Sequence, residues 1–264
     1  MPIIPNIQNS TDTCYPNTKL SSTEYNFGGE NHISGAVAEA DTLGVFASND
    51  VYLVTYFSLP KDTSYALASI NLYTNYDGEG SSFGDTLLKS STSDIKKATI
   101  YSSIRGSDES KLTMILTNKS LGQKQLANIT VNSSTNYTSA KIYGITDKSD
   151  NVQLLGTVSN ITDNSFTAEF PAPSVIQIEL TADDNYVIMG NVNTDGIVDE
   201  TDLQLLNNLL LAIPNTNLSW KNADLTNDEV IGAFDLCKLR CLIADWNTPI
   251  KEPEYIAFWK TKSG

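Results

Sequence analysis

Three rhythms of apolar and polar residues follow one another along the chain. Between residues 34 and 46 (SGAVAEADTLGVF), Val37, Ala40, Asp41 and Gly44 recur at helical spacing, and the Ser34 hydroxyl offers a start without a full capping box. Residues 51–57 (VYLVTYF) form an apolar, β-rich run of strand length. Residues 64–76 return to a helical pattern, which Asp77-Gly78-Glu79-Gly80 stops. Upstream, residues 19–29 (KLSSTEYNFGG) read as a strand ending in the carboxylate of Glu24, then a glycine-rich loop. Strands alternating with helices predict βα units around a parallel sheet.

From residue 85 the rhythm shortens. Residues 98–105, 111–118, 125–132, 140–146, 165–170 and 175–180 read as strands separated by turn signals, which predicts an antiparallel sandwich over 85–181. The Asn-x-Thr triplets at Asn128 and Asn160 read as solvated turns and strand edges. Residues 183–189 form a very short linker.

The third rhythm is a duplication. Asn191, Asn193, Asp195 and Asp202 stand at positions 1, 3, 5 and 12 of a loop, with Gly196 at position 6 and the Ile197 carbonyl at position 7. Calcium is a hard cation that takes oxygen ligands, and alternate side chains on a tight loop supply them. Leucines follow at helical spacing from Leu203 to Leu210. Thirty-three residues on, Asp224, Thr226, Asp228, the Val230 carbonyl and Asp235 repeat the arrangement, and Leu236, Leu239, Leu242 and Ile243 give its helix. Two Ca2+ sites are expected. The second is weaker, because Thr226 offers a neutral hydroxyl and Glu229 replaces the turn glycine. No long amphipathic helix precedes either loop, and position 12 is Asp rather than the longer Glu; both features argue against a calcium sensor.

Composition narrows the classes further. The 264 residues are 40% hydrophobic and 18% charged, enough for a packed core. The formal charge of −14 disfavours nucleic acid and anionic membranes as partners. No apolar run is long enough to cross a bilayer. One His and three Cys exclude most thiolate–imidazole zinc sites and any dense disulfide scaffold. Cys14, Cys237 and Cys241 read as buried small hydrophobes. The opening MPIIPNIQNS lacks the features of a signal peptide, so by itself it reads as cytoplasmic.

Residues 189–244 resemble a dockerin, the module that plugs polysaccharide-degrading enzymes into the cohesin domains of a cellulosomal scaffoldin. The resemblance implies that positions 10 and 11 of each loop, Glu200-Thr201 and Ala233-Phe234, contact the cohesin. These pairs differ in size and polarity, so one binding orientation is expected to dominate, with Phe234 as its apolar anchor. Dockerins travel on enzymes. The stretches STEYNFGGENHISGAVAEADTLGVF, NLYTNYDGEGSSFGDTLLKSSTSD and KLTMILTNKS resemble the C-terminal half of glycoside hydrolase family 44, retaining endo-β-glucanases and xyloglucanases with a (β/α)8 barrel and an attached sandwich. That resemblance covers residues 3 to about 181.

The resemblance implies a mixed fold: a partial (β/α) barrel remnant (1–80), an antiparallel β-sandwich (85–181), a small all-α dockerin with two calcium loops (189–244) and a tail (245–264). It makes Glu24 the catalytic nucleophile; Tyr25 and Tyr56 are expected to contact the β-glucan or xyloglucan, and His32, in the same loop, reads as structural or substrate-rimming. A retaining glycosidase needs a second carboxyl group about 5–5.5 Å away as acid/base. The family's acid/base segment has no counterpart here, so the chain is expected to be inactive alone. Glu30, Glu39 and Asp41 read as solvated or capping, and residues 1–80 are expected to pack loosely on the sandwich or to associate with something. The parent protein is expected outside the cell, on a cellulosome. The alternative is a non-catalytic carbohydrate-binding component of that assembly. The aromatic tail residues Trp246, Tyr255, Phe258 and Trp259 are expected either to clasp the dockerin or sandwich or to be a disordered end.

Overall fold

A computed structural model describes residues 3–58, 61, 63–183, 188–214, 218–226, 228–246 and 260–261. The chain opens with α1 (Ile3–Cys14), which buries no residue. A strand–helix–strand–helix run follows: β1 (Ser21–Tyr25), α2 (Ile33–Ser48), β2 (Leu53–Tyr56) and α3 (Tyr65–Thr74). β1 and β2 pair in parallel, with Ser21 opposite Leu53 and Tyr25 opposite Tyr56. His32, not Ser34, is the N-cap of α2, its Nδ1 accepting from the Ser34 N–H. Ser64 caps α3 through the Leu67 N–H.

Eight strands come next: β3 (Thr86–Leu88), β4 (Ala98–Arg105), β5 (Asp108–Asn118), β6 (Gln125–Thr130), β7 (Tyr137–Thr146), β8 (Ser149–Val158), β9 (Ser165–Phe170) and β10 (Ser174–Ala182). They form a six-stranded sheet of order β3-β4-β5-β10-β7-β8. A three-stranded sheet faces it, with β6 between β9 and β11 (Lys260–Thr261). All pairings in both sheets are antiparallel. Between the sheets, Ile100, Leu112, Met114, Leu116, Ile176 and Ile178 meet Ile129, Phe166 and Phe170. The opposite face of the larger sheet is also covered. Ile115, Ile145 and Val175 there pack against Ile33, Ala36 and Ala40 of the α2 segment and Ala68 and Leu72 of α3. The result is three layers: helices, six-stranded sheet, three-stranded sheet. Because a layer covers each face, nearly every position of β10 and of the second half of β5 is buried, the polar Thr113, Thr117, Gln177 and Glu179 included.

The helices sit close to the sheet because small residues face it. A Cβ at Gly44 would come within 2.3 Å of the Tyr101 ring. Polar bonds fix the register across this seam. Tyr101 Oη donates to Asp41 Oδ1 at 2.8 Å, and Lys119 Nζ lies 2.7 Å from Asp41 Oδ2. Tyr76 Oη donates to buried Glu179 at 2.5 Å. Asp41 is therefore a seam residue rather than a solvated one. α2 and α3 are packed tightly on the sheet, while β1 and β2 keep mostly exposed side chains.

The C-terminal region holds α4 (Glu200–Leu210), the single-turn α5 (Trp220–Ala223) and α6 (Ala233–Trp246). Its core obeys the 33-residue offset: Val192 and Leu225, and Leu206 and Leu239, are equivalent pairs, all buried in one cluster. All three cysteines are exposed, contrary to the expectation of burial. Cys237 and Cys241 lie on the outward side of α6, because Leu236, Leu239, Leu242 and Ile243 claim its inward side. No helix among the described residues is long and apolar enough to cross a membrane. The tail residues Tyr255, Phe258 and Trp259, the Trp246 side chain and linker residues 184–187 lie outside the described residues.

Candidate functional site

The two acidic loops are built to one plan, visible in four equivalent hydrogen bonds. Asp202 Oδ1 accepts from the Asn193 N–H at 3.0 Å, as Asp235 Oδ1 does from Thr226 at 2.9 Å. Asp202 Oδ2 accepts from the Asp199 N–H at 2.9 Å, as Asp235 Oδ2 does from Gly232 at 2.7 Å. Asn191 Oδ1 accepts from the Asp195 N–H at 3.1 Å, as Asp224 Oδ1 does from Asp228 at 3.2 Å. Asp195 Oδ1 accepts from the Ile197 N–H and Asp228 Oδ1 from the Val230 N–H, both at 2.9 Å. Each position-12 carboxylate thus ties the loop to the first turn of its helix. In the first loop this is a capping box, with Asp199 as N-cap of α4.

The first loop is also tied to α5, the turn of helix just ahead of the second loop. Asn222 Nδ2 donates to the Asn191 carbonyl at 2.6 Å, and the Gly190 N–H donates to the Asn222 carbonyl at 2.7 Å. Asn191, Asp202 and Asp235 are buried. Among the described residues no three His, Cys, Asp or Glu side chains converge. The loops offer instead a mixture of carboxylate, amide, hydroxyl and carbonyl oxygens, a donor set suited to a hard cation and lacking soft ligands. Burial pushes the Asp202 carboxyl up, and neighbouring Asp195 adds to this against the pull of backbone N–H donors. Burial also pushes at Asp235, but the Gly232 and Thr226 donors together hold it below the usual range. The turn residues of the two loops differ. Gly196 has φ +90°, and Glu229, in the equivalent place, is forced to φ +62°.

Glu200, Thr201, Ala233 and Phe234 are all exposed, Phe234 at 79%. Val230 and Trp220 are exposed apolar residues of the same region.

Around β1 the structure brings two of the expected residues, Tyr25 and Tyr56, into ring contact. Glu24 is exposed. Tyr25 points away from it, donating to Glu39 Oε1 at 2.6 Å within a ring cluster with Phe27, Phe46 and Tyr56. Glu39 is 1% exposed, so it is a buried carboxyl and not a solvated one; burial raises its pKa despite the Tyr25 bond. Glu30 Oε1 accepts from Asn26 at 2.8 Å and from Tyr56 Oη at 3.2 Å. Burial and then Glu30 push Tyr56 up to about 12. His32 is engaged in capping α2. Sequence reasoning missed Glu39 and Asp199. The strict return of position 12 could have flagged Asp199 as a cap; nothing local flags Glu39.

Comparison with known proteins finds relatives for both parts of the chain. The family described as Dockerin type I domain matches residues 189–242. The chain is 41% identical over 189 residues to Beta-mannanase/endoglucanase A of Caldicellulosiruptor saccharolyticus, taking in 71% of this chain and 14% of that protein. Cel44A, a family 44 endoglucanase of Clostridium thermocellum, has a solved structure that is 44% identical with a TM-score of 0.65, covering 67% of this chain and 35% of its own. A family 44 xyloglucanase of Paenibacillus polymyxa, solved with xyloglucan, is 35% identical with a TM-score of 0.64, covering 68% and 35%. The chain spans only a minor part of each relative's length. The part before the loops is similar to family 44 glycoside hydrolases, and residues 189–242 match the type I dockerin domain.

Proposed function

We propose that this chain is a dockerin-bearing segment of a plant-polysaccharide-degrading glycoside hydrolase, and that it binds a cohesin domain of a scaffoldin when calcium fills both loops. The single observation that carries the reading is the set of four hydrogen bonds repeated in two loops of hard-cation donors. In loop one the ligands are Asn191, Asn193, Asp195, the Ile197 carbonyl and Asp202; in loop two Asp224, Thr226, Asp228, the Val230 carbonyl and Asp235. The second site is the weaker. Glu200, Thr201, Ala233 and Phe234 form the cohesin-facing residues, and the exposed Phe234 favours an orientation led by the second repeat.

Glu24 is the nucleophile of the parent enzyme in this reading, and Tyr25, His32 and Tyr56 support the substrate rim. Residues 1–80 are then a barrel remnant, 85–181 its sandwich and 189–244 the dockerin. The β-glucans and xyloglucan suggested by the names of the relatives are the parent's substrates, and the parent works outside the cell. Glu30 and Glu39, the first two glutamates after β1 in the chain, are each bonded to a tyrosine, and this reading assigns neither the acid/base role. Loss of that role costs about 10²–10⁴ in rate, so the chain alone does not turn over glucan.

The test is retention on a panel of immobilised cohesins with calcium and with EDTA, alongside hydrolysis of carboxymethylcellulose and xyloglucan. Retention by a cohesin only with calcium, weakened more by Phe234→Ala than by Thr201→Ala, is expected. Retention by none contradicts the docking role. Hydrolysis abolished by Glu24→Gln contradicts the inactivity.

A further inference from the structure

The first calcium loop rests against another part of the molecule. Gly196, its turn residue, is buried. A Cβ there would stand 3.3 Å from Asp108 Oδ2, and a Cβ on Gly106 would stand 4.0 Å from the Gly196 carbonyl oxygen. The covering element is the tight turn between β4 and β5, which lies far from the loop in sequence. That turn is itself braced. The Gly106 N–H donates to Asp85 Oδ1 at 2.6 Å, and Asp108 Oδ1 accepts from the Ser110 N–H at 2.8 Å. Asp108 Oδ2 is the oxygen presented to the loop.

We propose that the β4–β5 turn is a seat for the first calcium loop, and that a cation in that loop clasps the docking module onto the sandwich. This rests on the calcium reading. Asp108 brings negative charge to a loop that already carries Asp195, Asp199 and Asp202. Without a cation the contact sets like charges together; with a divalent ion Asp108 becomes a favourable neighbour. The connection from the end of β10 at Ala182 to Asn191 is short, so the loop meets its seat at high effective concentration. Asp108 has a positioning and electrostatic role here; the loop supplies the ligands.

The experiment uses the full chain. Amide hydrogen exchange in residues 104–110 is followed in calcium and in EDTA for the parent, Asp195→Ala and Asp228→Ala proteins. Calcium is expected to slow exchange of the turn in the parent and in Asp228→Ala, and not in Asp195→Ala. By calorimetry, Asp108→Asn, which keeps an acceptor for Ser110, weakens one of the two calcium sites about 3-fold and Asp108→Lys about 10-fold, leaving the other unchanged. Exchange of the turn that ignores calcium while the loop's own amides become protected overturns the clasp alone, as does parental affinity in both Asp108 variants. Absence of calcium uptake by the parent overturns the clasp and the calcium reading together.

Discussion

Glu39 shows what one residue can hide. It sits in α2 with its carboxyl buried and one oxygen bonded to Tyr25. Burial raises its pKa above the ordinary 4.5. The folded state therefore holds the proton more tightly than the unfolded chain. The stability this contributes is complete below the unfolded value and is lost as pH rises through the raised folded value. Glu39→Gln keeps an acceptor for Tyr25 and removes the charge. The melting temperature of this variant relative to the parent is expected to be higher at pH 7 than at pH 5; an equal difference at both would contradict the buried, raised carboxyl. A helical Glu reads as solvated from sequence because its partner, Tyr25, lies on another element. His32 escaped as a cap for a similar reason: Ser34 is the commoner capping residue, yet the imidazole reached the N–H first. The cysteines were misread because small hydrophobes are usually inside, whereas here leucines fill the inner face of α6.

Among elements, those with a strong period were legible. α2, β4, β9 and β10 fall where the apolar pattern places them, and both loops were readable because their donors recur at a fixed offset. The elements that escaped lack such a signal. α1 buries nothing, β3 has three residues, and β8 runs along the edge of its sheet with only half-buried or exposed positions. The loop pattern also exposes a local defect. Glu229 adopts φ +62°, a conformation that costs about 1 kcal/mol or more for a residue with a side chain. Ordering of such a loop is coupled to the metal, so the strain is charged to binding. Glu229→Gly is expected to tighten the weaker calcium site about 5-fold, measured by calorimetry. No change in affinity would mean the loop keeps this conformation whether or not the ion is bound.

The whole molecule is organised around one sheet with a layer on each face. The helices following β1 and β2 do not form a loosely attached remnant; they share a core with the sandwich through Ile115, Ile145 and Val175, and Tyr101 and Lys119 bind Asp41 across the seam. This was not legible in the sequence, because helical and strand-forming stretches look like separate units until their small faces are seen to meet. The C-terminal region keeps its own core, and in the proposed reading its order depends on ions in the two loops. That dependence gives the most direct test. Calcium added to the metal-free full chain, followed by calorimetry and far-ultraviolet circular dichroism together, is predicted to show uptake of two ions with a gain of helicity. Neither ion uptake nor any change in helix content would contradict the account.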